Sequence, residues 1–171
     1  MGYLAKKRCY LSAPIEYAEG VDPNWRKNVV DTLRNEYSIS LFDPSDDPKQ
    51  KKTIEITKAK EEKDYGKIKE IATSFVHKDL CMVDRSDFII AYLPHRIPTT
   101  GTHHEIITSS NAKKPTLLVS DDKRNIPVWY YGFIPLEFMF SGWEELFKYL
   151  NEVDSGCKQK HCRWSFVYDL I

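Results

Sequence analysis

The chain has 171 residues, enough for one compact domain with a sizeable core and too few for two ordinary ones. Lys plus Arg number 25 and Asp plus Glu number 25, so no net positive field exists to hold the protein on a nucleic acid polymer or an anionic membrane. No apolar run reaches the length of a signal peptide or a membrane span, which points to a cytoplasmic protein. The four cysteines, Cys9, Cys81, Cys157 and Cys162, show no CxxC spacing. Two of them sit in apolar segments where a free thiol acts as a small hydrophobe, which suits a reducing compartment. Cys157, His161 and Cys162 lack a fourth ligand for a tetrahedral zinc site, and no metal is expected there.

In chain order, "RCYLSAP" is a short apolar run that ends in small residues and Pro14, the pattern of a buried first strand. "VDPNWRKNVVDTLRNEY" predicts a helix with Asp22 as N-cap, Pro23 at its first position and Trp25, Val29 and Leu33 at helical spacing. "SISLFDP" predicts a second strand stopped by Pro44, and the charged stretch from Ser45 to Lys67 reads as a solvated, partly helical surface excursion. In the helix that follows, Ile68, Ile71, Ala72, Phe75, Val76, Leu80, Met82 and Val83 keep to one face, and Asp79 falls on it too. An ionised carboxylate on an apolar stripe is costly unless paired or facing a polar pocket, so Asp79 is either a loop brace or a functional acid.

"DFIIAYLP" is a near-continuous apolar run, as a central strand covered on both faces requires. A loop, a helix from Thr102 to about Asn111 and the strand "PTLLVS" follow, then the aromatic loop "IPVWYYGFIP" and the strand "LEFMF". The last helix opens with Ser141 and Glu144 in capping-box spacing, and the tail from Val153 carries no clear assignment. Alternating strands and helices predict an α/β fold: a flavodoxin-like, Rossmann-like three-layer sandwich with a mostly parallel five-stranded sheet in order 2-1-3-4-5. Ligands of such sheets bind at the carboxyl ends of strands one and three.

Three stretches converge there: the end of "CYLSAPI", the helix face with Asp79, and the loop "LPHRIPTTGTHHE". They nominate Ser12, Ala13, Ile15, Thr99, Thr100, Gly101, Thr102 and His103 as substrate-binding residues. Gly101 permits a close backbone approach or an unusual turn, and free N–H groups at a helix start favour an anion. Thr102 and Glu105 carry two readings, since the same spacing makes a capping box. His103 and His104, adjacent on a helix, diverge by about a hundred degrees and are not expected to grip one metal. Trp129, Tyr130 and Tyr131 are candidates for stacking on a base, for core packing or for a subunit contact.

The runs "YLSAPI", "HKDL", "SDFIIAYLP", "TTGTHHE", "KKPTLLV" and "FSGWEELFKYL", in this order, resemble the nucleoside 2-deoxyribosyltransferase family and its nucleotide N-hydrolase relatives. The resemblance covers most of residues 8 to 150 and implies that Glu105 is the nucleophile that attacks the anomeric carbon of a deoxyribose. It further implies that Tyr10 orients this glutamate and that Asp79 faces the base and donates a proton to it. A deoxynucleoside or deoxynucleotide is then the substrate, no cofactor is needed, and a homodimer or larger homo-oligomer completes the site. Thr99 stands where transferases of the family carry an aspartate and monophosphate hydrolases a serine, which leans towards a 5′-monophosphate. Glu16 stands where the hydrolases place a phosphate-binding arginine, with Arg96 as a substitute in the neighbouring loop. A silent nucleotide-binding module on the same fold and an NAD-cleaving glycohydrolase are the alternatives.

Overall fold

The computed structural model describes residues 2–15, 22–46, 53–97, 99–156 and 161–167. Five parallel strands form its sheet: β1 (Arg8–Ser12), β2 (Ser40–Phe42), β3 (Phe88–Tyr92), β4 (Thr116–Ser120) and β5 (Met139–Ser141). Their order is β2-β1-β3-β4-β5, the expected flavodoxin-like arrangement. Register is fixed by apolar pairs in the middle of the sheet, with Tyr10 beside Ile89, Leu11 beside Ile90 and Ile90 beside Leu117. Every residue of β3 and β4 is buried, which accounts for the unbroken apolar runs "FIIAY" and "TLLVS". Each such Leu, Ile or Val contributes about 1.5–3 kcal/mol by leaving water.

Helices cover both faces. On one side lie α1 (Trp25–Asn35) and α6 (Trp143–Ser155). They are tied where Tyr37 donates its hydroxyl to Asn151 Oδ1 at 3.0 Å and where the Trp25 and Trp143 rings stack at 5.3 Å. On the other side lie α3 (Tyr65–Arg85) and α4 (Thr100–Asn111), with α2 (Thr53–Glu61) packed on α3 and the short α5 (Val128–Tyr131) between β4 and β5. Asp64 caps α3 by accepting the Lys67 N–H at 2.9 Å, and Lys114 closes the other end by donating to the Val83 carbonyl at 2.6 Å.

Several boundaries differ from expectation for local reasons. Asp22 is not the N-cap of α1: its carboxylate accepts the Asn24 N–H at 2.9 Å in a turn, and the helix begins three residues on. In "LEFMF", Leu136–Phe138 form a 3-10 turn and only Met139–Ser141 pair as a strand. At the start of α6 the cap is Gly142, whose φ of 90° suits a residue without Cβ, and Glu145 rather than Glu144 reaches back to the Ser141 N–H at 2.8 Å. Cys9 is buried as expected, but Cys81 is exposed; Cys157 lies outside the described residues.

Within the tail, the described residues 161–167 contribute to the core. A 3-10 turn at Cys162–Phe166 inserts Trp164, which is fully buried and donates its indole N–H to Tyr149 at 2.7 Å. Arg163 spreads its guanidinium over Ser110 Oγ at 3.2 Å and the Lys114 and Phe133 carbonyls, each at 3.3 Å. At the other end of the chain the buried Leu4 donates its N–H to Asp154 Oδ1 at 2.7 Å. Among the described residues no helix is long and apolar enough to cross a membrane.

Candidate active site

Side chains two apart on a strand share a face, and Tyr10 and Ser12 of β1 both face α4. The Tyr10 hydroxyl donates to Glu105 Oε1 at 2.8 Å, and the Ser12 hydroxyl donates to Glu105 Oε2. These bonds exclude the capping-box reading. The N-cap of α4 is Thr99, which makes no side-chain cap bond, and Thr102 is already the third residue of the helix and buried. Glu105 therefore points into the sheet, with a donor on each oxygen.

A cavity of about 270 Å³ opens beside it at the carboxyl ends of β1 and β3. One wall is apolar, built from Ala13, Pro14 and Ile15 after β1, Pro44 after β2, Ile56 of α2, and Phe75 and Val76 of α3. Asp79, one helical turn beyond Phe75 and only 7% exposed, shares the cavity with Glu105. The opposite end is lined by Thr99, Thr100, Gly101 and Thr102, so the first turn of α4, with backbone N–H groups that the helix itself does not use, faces the space. A flat ring suits the apolar wall; a hydroxyl or an anion suits the helix start.

Burial pushes the Glu105 carboxyl up to about 7. The Ser12 and Tyr10 hydrogen bonds oppose that rise, the Asp79 charge adds to it, and the Arg26 guanidinium opposes it again. The Tyr10 phenol is held far above its usual range, first by burial and then by the Glu105 and Asp79 charges, so it remains a proton donor at any ordinary pH. A carboxylate that titrates near neutrality between two fixed hydroxyl donors can act as an oriented nucleophile or exchange a proton with a ligand.

Six of the eight residues nominated as substrate-binding, Ala13, Ile15, Thr99, Thr100, Gly101 and Thr102, line the cavity. Ser12 does not line it and contacts Glu105 instead. Nor does His103 line it: its Nδ1 pairs with the Tyr130 hydroxyl, and burial lowers its basicity. Gly101 sits in ordinary helical backbone, with nothing within 4 Å of where a Cβ would stand, so it leaves space rather than making an unusual turn. Trp129 is 76% exposed, Tyr130 is buried, and the Tyr131 hydroxyl bonds to the Lys123 carbonyl; none of the three borders the cavity. Arg96 lies in an exposed turn with φ 61° and does not reach it either, and Glu16 lies outside the described residues.

Sequence reasoning missed the charge pair behind the site. Arg26 of α1 and Asp43 after β2 form an ion pair at 2.6 Å, with side chains 16% and 4% exposed, and the guanidinium lies 4.8 Å over the Trp25 ring. Asp43 is held in turn by the Ser45 N–H at 2.9 Å. An acid directly after a strand and before Pro44 marks a carboxyl edge, and that was the available signal. Ile56 was missed because the charges around it read as a surface segment, yet it forms part of the wall. Among the described residues no three His, Cys, Asp or Glu side chains gather to hold a metal ion.

The sheet order and the cavity at its switch point define an α/β protein of the kind that binds small molecules at the carboxyl edge of a parallel sheet. Two of the solved structures that share this fold are 2-deoxyribosyltransferases. The enzyme from Bacillus psychrosaccharolyticus superposes with a TM-score of 0.55 at 18% identity, over 81% of this chain and 89% of its own. That from Leishmania mexicana superposes with a TM-score of 0.53 at 21% identity, over 85% of this chain and 97% of its own. No protein-family model and no curated protein sequence matches the chain.

Proposed function

We propose that this protein cleaves the N-glycosidic bond of a 2′-deoxynucleoside or its 5′-monophosphate through a covalent Glu105 glycosyl ester. The observation that carries the proposal is Glu105 itself, half-buried at a cavity wall, bonded on one oxygen by Tyr10 and on the other by Ser12, with Asp79 sharing the cavity. The fold shared with solved 2-deoxyribosyltransferases supports it. The base lies against Ile15, Phe75 and Val76, with the sugar above Glu105. A Glu105 oxygen attacks the anomeric carbon, the carbon–nitrogen pair leaves with the base, and Asp79 hands the base a proton. A second base or a water then takes the sugar, giving transfer or hydrolysis. The exposed first turn of α4, free of a side-chain cap, favours a 5′-phosphate over a second carboxylate-bound hydroxyl.

The test is base release from a panel of deoxynucleosides and their 5′-monophosphates, followed by chromatography with and without an acceptor base. Wild type should release base and Glu105→Gln should not. The products separate transfer from hydrolysis. A folded wild type that releases no base from any member of the panel sinks the proposal and leaves a ligand-binding module in its place.

A further inference from the structure

Ser12 donates to the oxygen of Glu105 that Tyr10 leaves free, and its side chain, at the end of β1, is completely buried. We propose that Ser12 is a positioning residue that favours breakdown of the glycosyl ester over its formation. The proposal rests on the glycosidic chemistry above and goes beyond it, because it concerns which of the two half-reactions limits turnover.

The two steps place opposite demands on Glu105. In the first, a carboxylate oxygen bonds to the anomeric carbon, the carbon–nitrogen bond breaks with its electrons going to the base, and Asp79 gives the base a proton. In the second, a water oxygen bonds to the same carbon and passes a proton back to Asp79. The carbon–oxygen bond to Glu105 breaks and its electron pair returns to the carboxylate. A hydroxyl that donates to the carboxylate stabilises it as a negative ion. That makes Glu105 a weaker nucleophile in the first step and a better leaving group in the second. Tyr10 alone would leave one oxygen without a fixed donor; with Ser12 opposite, whichever oxygen forms the ester, the other retains a hydrogen-bonded partner, and both are stabilised when the carboxylate returns.

The titratable and hydrogen-bonding groups that act on Glu105 come from four parts of the chain. They are Tyr10 and Ser12 from β1, Asp79 from α3, and Arg26 from α1, the last paired with Asp43 after β2. Like Tyr10, Ser12 touches Glu105 through a hydroxyl that does not ionise in any ordinary pH range, so its removal isolates the hydrogen bond from any change in charge.

The experiment compares wild type, Ser12→Ala and Ser12→Thr on the panel member that wild type cleaves fastest. It reads turnover, the pH–rate profile, and the fraction of enzyme carrying a sugar adduct by intact mass after rapid quench. Loss of a hydrogen bond to a charged group should slow ester breakdown about tenfold to a hundredfold in Ser12→Ala. The adduct should then accumulate, and the acidic limb of the profile should move up by about one pH unit. Ser12→Thr, which keeps the hydroxyl, should restore all three. Should Ser12→Ala fail to fold, Ser12→Cys, with its weak donor, is expected to move the same readouts in the same direction. A fall in turnover with no added adduct and an unmoved limb overturns the proposal and reduces Ser12 to packing. Absence of base release by wild type overturns the glycosidic function, and this inference with it; release with an unchanged adduct fraction overturns this inference alone.

Discussion

Two strands of the sheet carry a phenol that donates to a carboxylate at 2.8 Å: Tyr10 of β1 with Glu105, and Tyr92 of β3 with Asp121. The bonds are alike in length and differ in setting. Tyr92 is packed by the indoles of Trp25 at 4.8 Å and Trp143 at 5.1 Å, and its partner Asp121 stands exposed in the loop after β4. Tyr10 is wholly buried, and its partner borders a cavity, takes a second hydroxyl and titrates near 7. One site is a closed polar stitch between strand and loop, and the other is open to a ligand. Space beside the carboxylate, and a second donor on it, are what set Glu105 apart from a structural hydrogen bond.

The sharpest way to break this contrast is to remove each carboxylate. Glu105→Ala should reduce base release on the order of a thousandfold or more, whereas Asp121→Asn should leave it within about twofold, as chromatography of released base will show. Equal losses in the two variants would erase the distinction.

Stability against pH tests the setting of Glu105 next. The folded Glu105 carboxyl titrates above its unfolded value of 4.5, at about 7, so the folded state holds the proton more tightly than the unfolded state does. Its contribution is most favourable at pH below 4.5 and is lost as pH rises from there through 7. Glu105→Gln, which stays neutral and keeps a hydrogen-bonding oxygen, should therefore gain on the order of 2 kcal/mol over wild type at pH 8 and little at pH 4. Urea unfolding at the two pH values measures the difference. An equal gain at both would mean that burial does not govern Glu105.

The smallest effect sharpens the phenols themselves. Tyr10→Phe should slow turnover about tenfold by removing one donor from Glu105, the proposed nucleophile. Tyr92→Phe should cost at most about 1 kcal/mol of stability in thermal unfolding and leave turnover per folded molecule unchanged. A slow Tyr92→Phe enzyme would join the two phenols into one functional unit.

Much of the scaffold could be read from local pattern. Apolar runs such as "FIIAYL" in the centre of the sheet have no other economical home, and the alternation of elements led to the observed order. Glu105 was ambiguous for a physical reason: a Thr three residues before a Glu at a helix start is one pattern for two arrangements. The residues that decide between them, Tyr10 and Ser12, lie 95 and 93 positions away. Trp164 was invisible for a related reason. It sits in a short polar stretch with no periodicity, and its partners Tyr149, Phe138 and Phe88 are supplied by α6, the 3-10 turn before β5, and β3. The helix face with Asp79 was legible as a stripe, but Val76 on that stripe is 38% exposed because it fronts the cavity mouth rather than the core.

The four indoles of the chain occupy surroundings distinct enough to serve as built-in optical probes. Trp164 is fully buried and Trp129 is 76% exposed, so the first should fluoresce at shorter wavelength than the second and resist quenching by iodide. Trp25 and Trp143 lie stacked with their planes 11° apart, close enough for their transitions to couple and give a paired signal in circular dichroism. Arg26, next to one of these rings and ion-paired behind the cavity, places that signal within reach of events at Glu105. Ligand entry is thus observable in the unlabelled protein, through the light its own side chains absorb and emit.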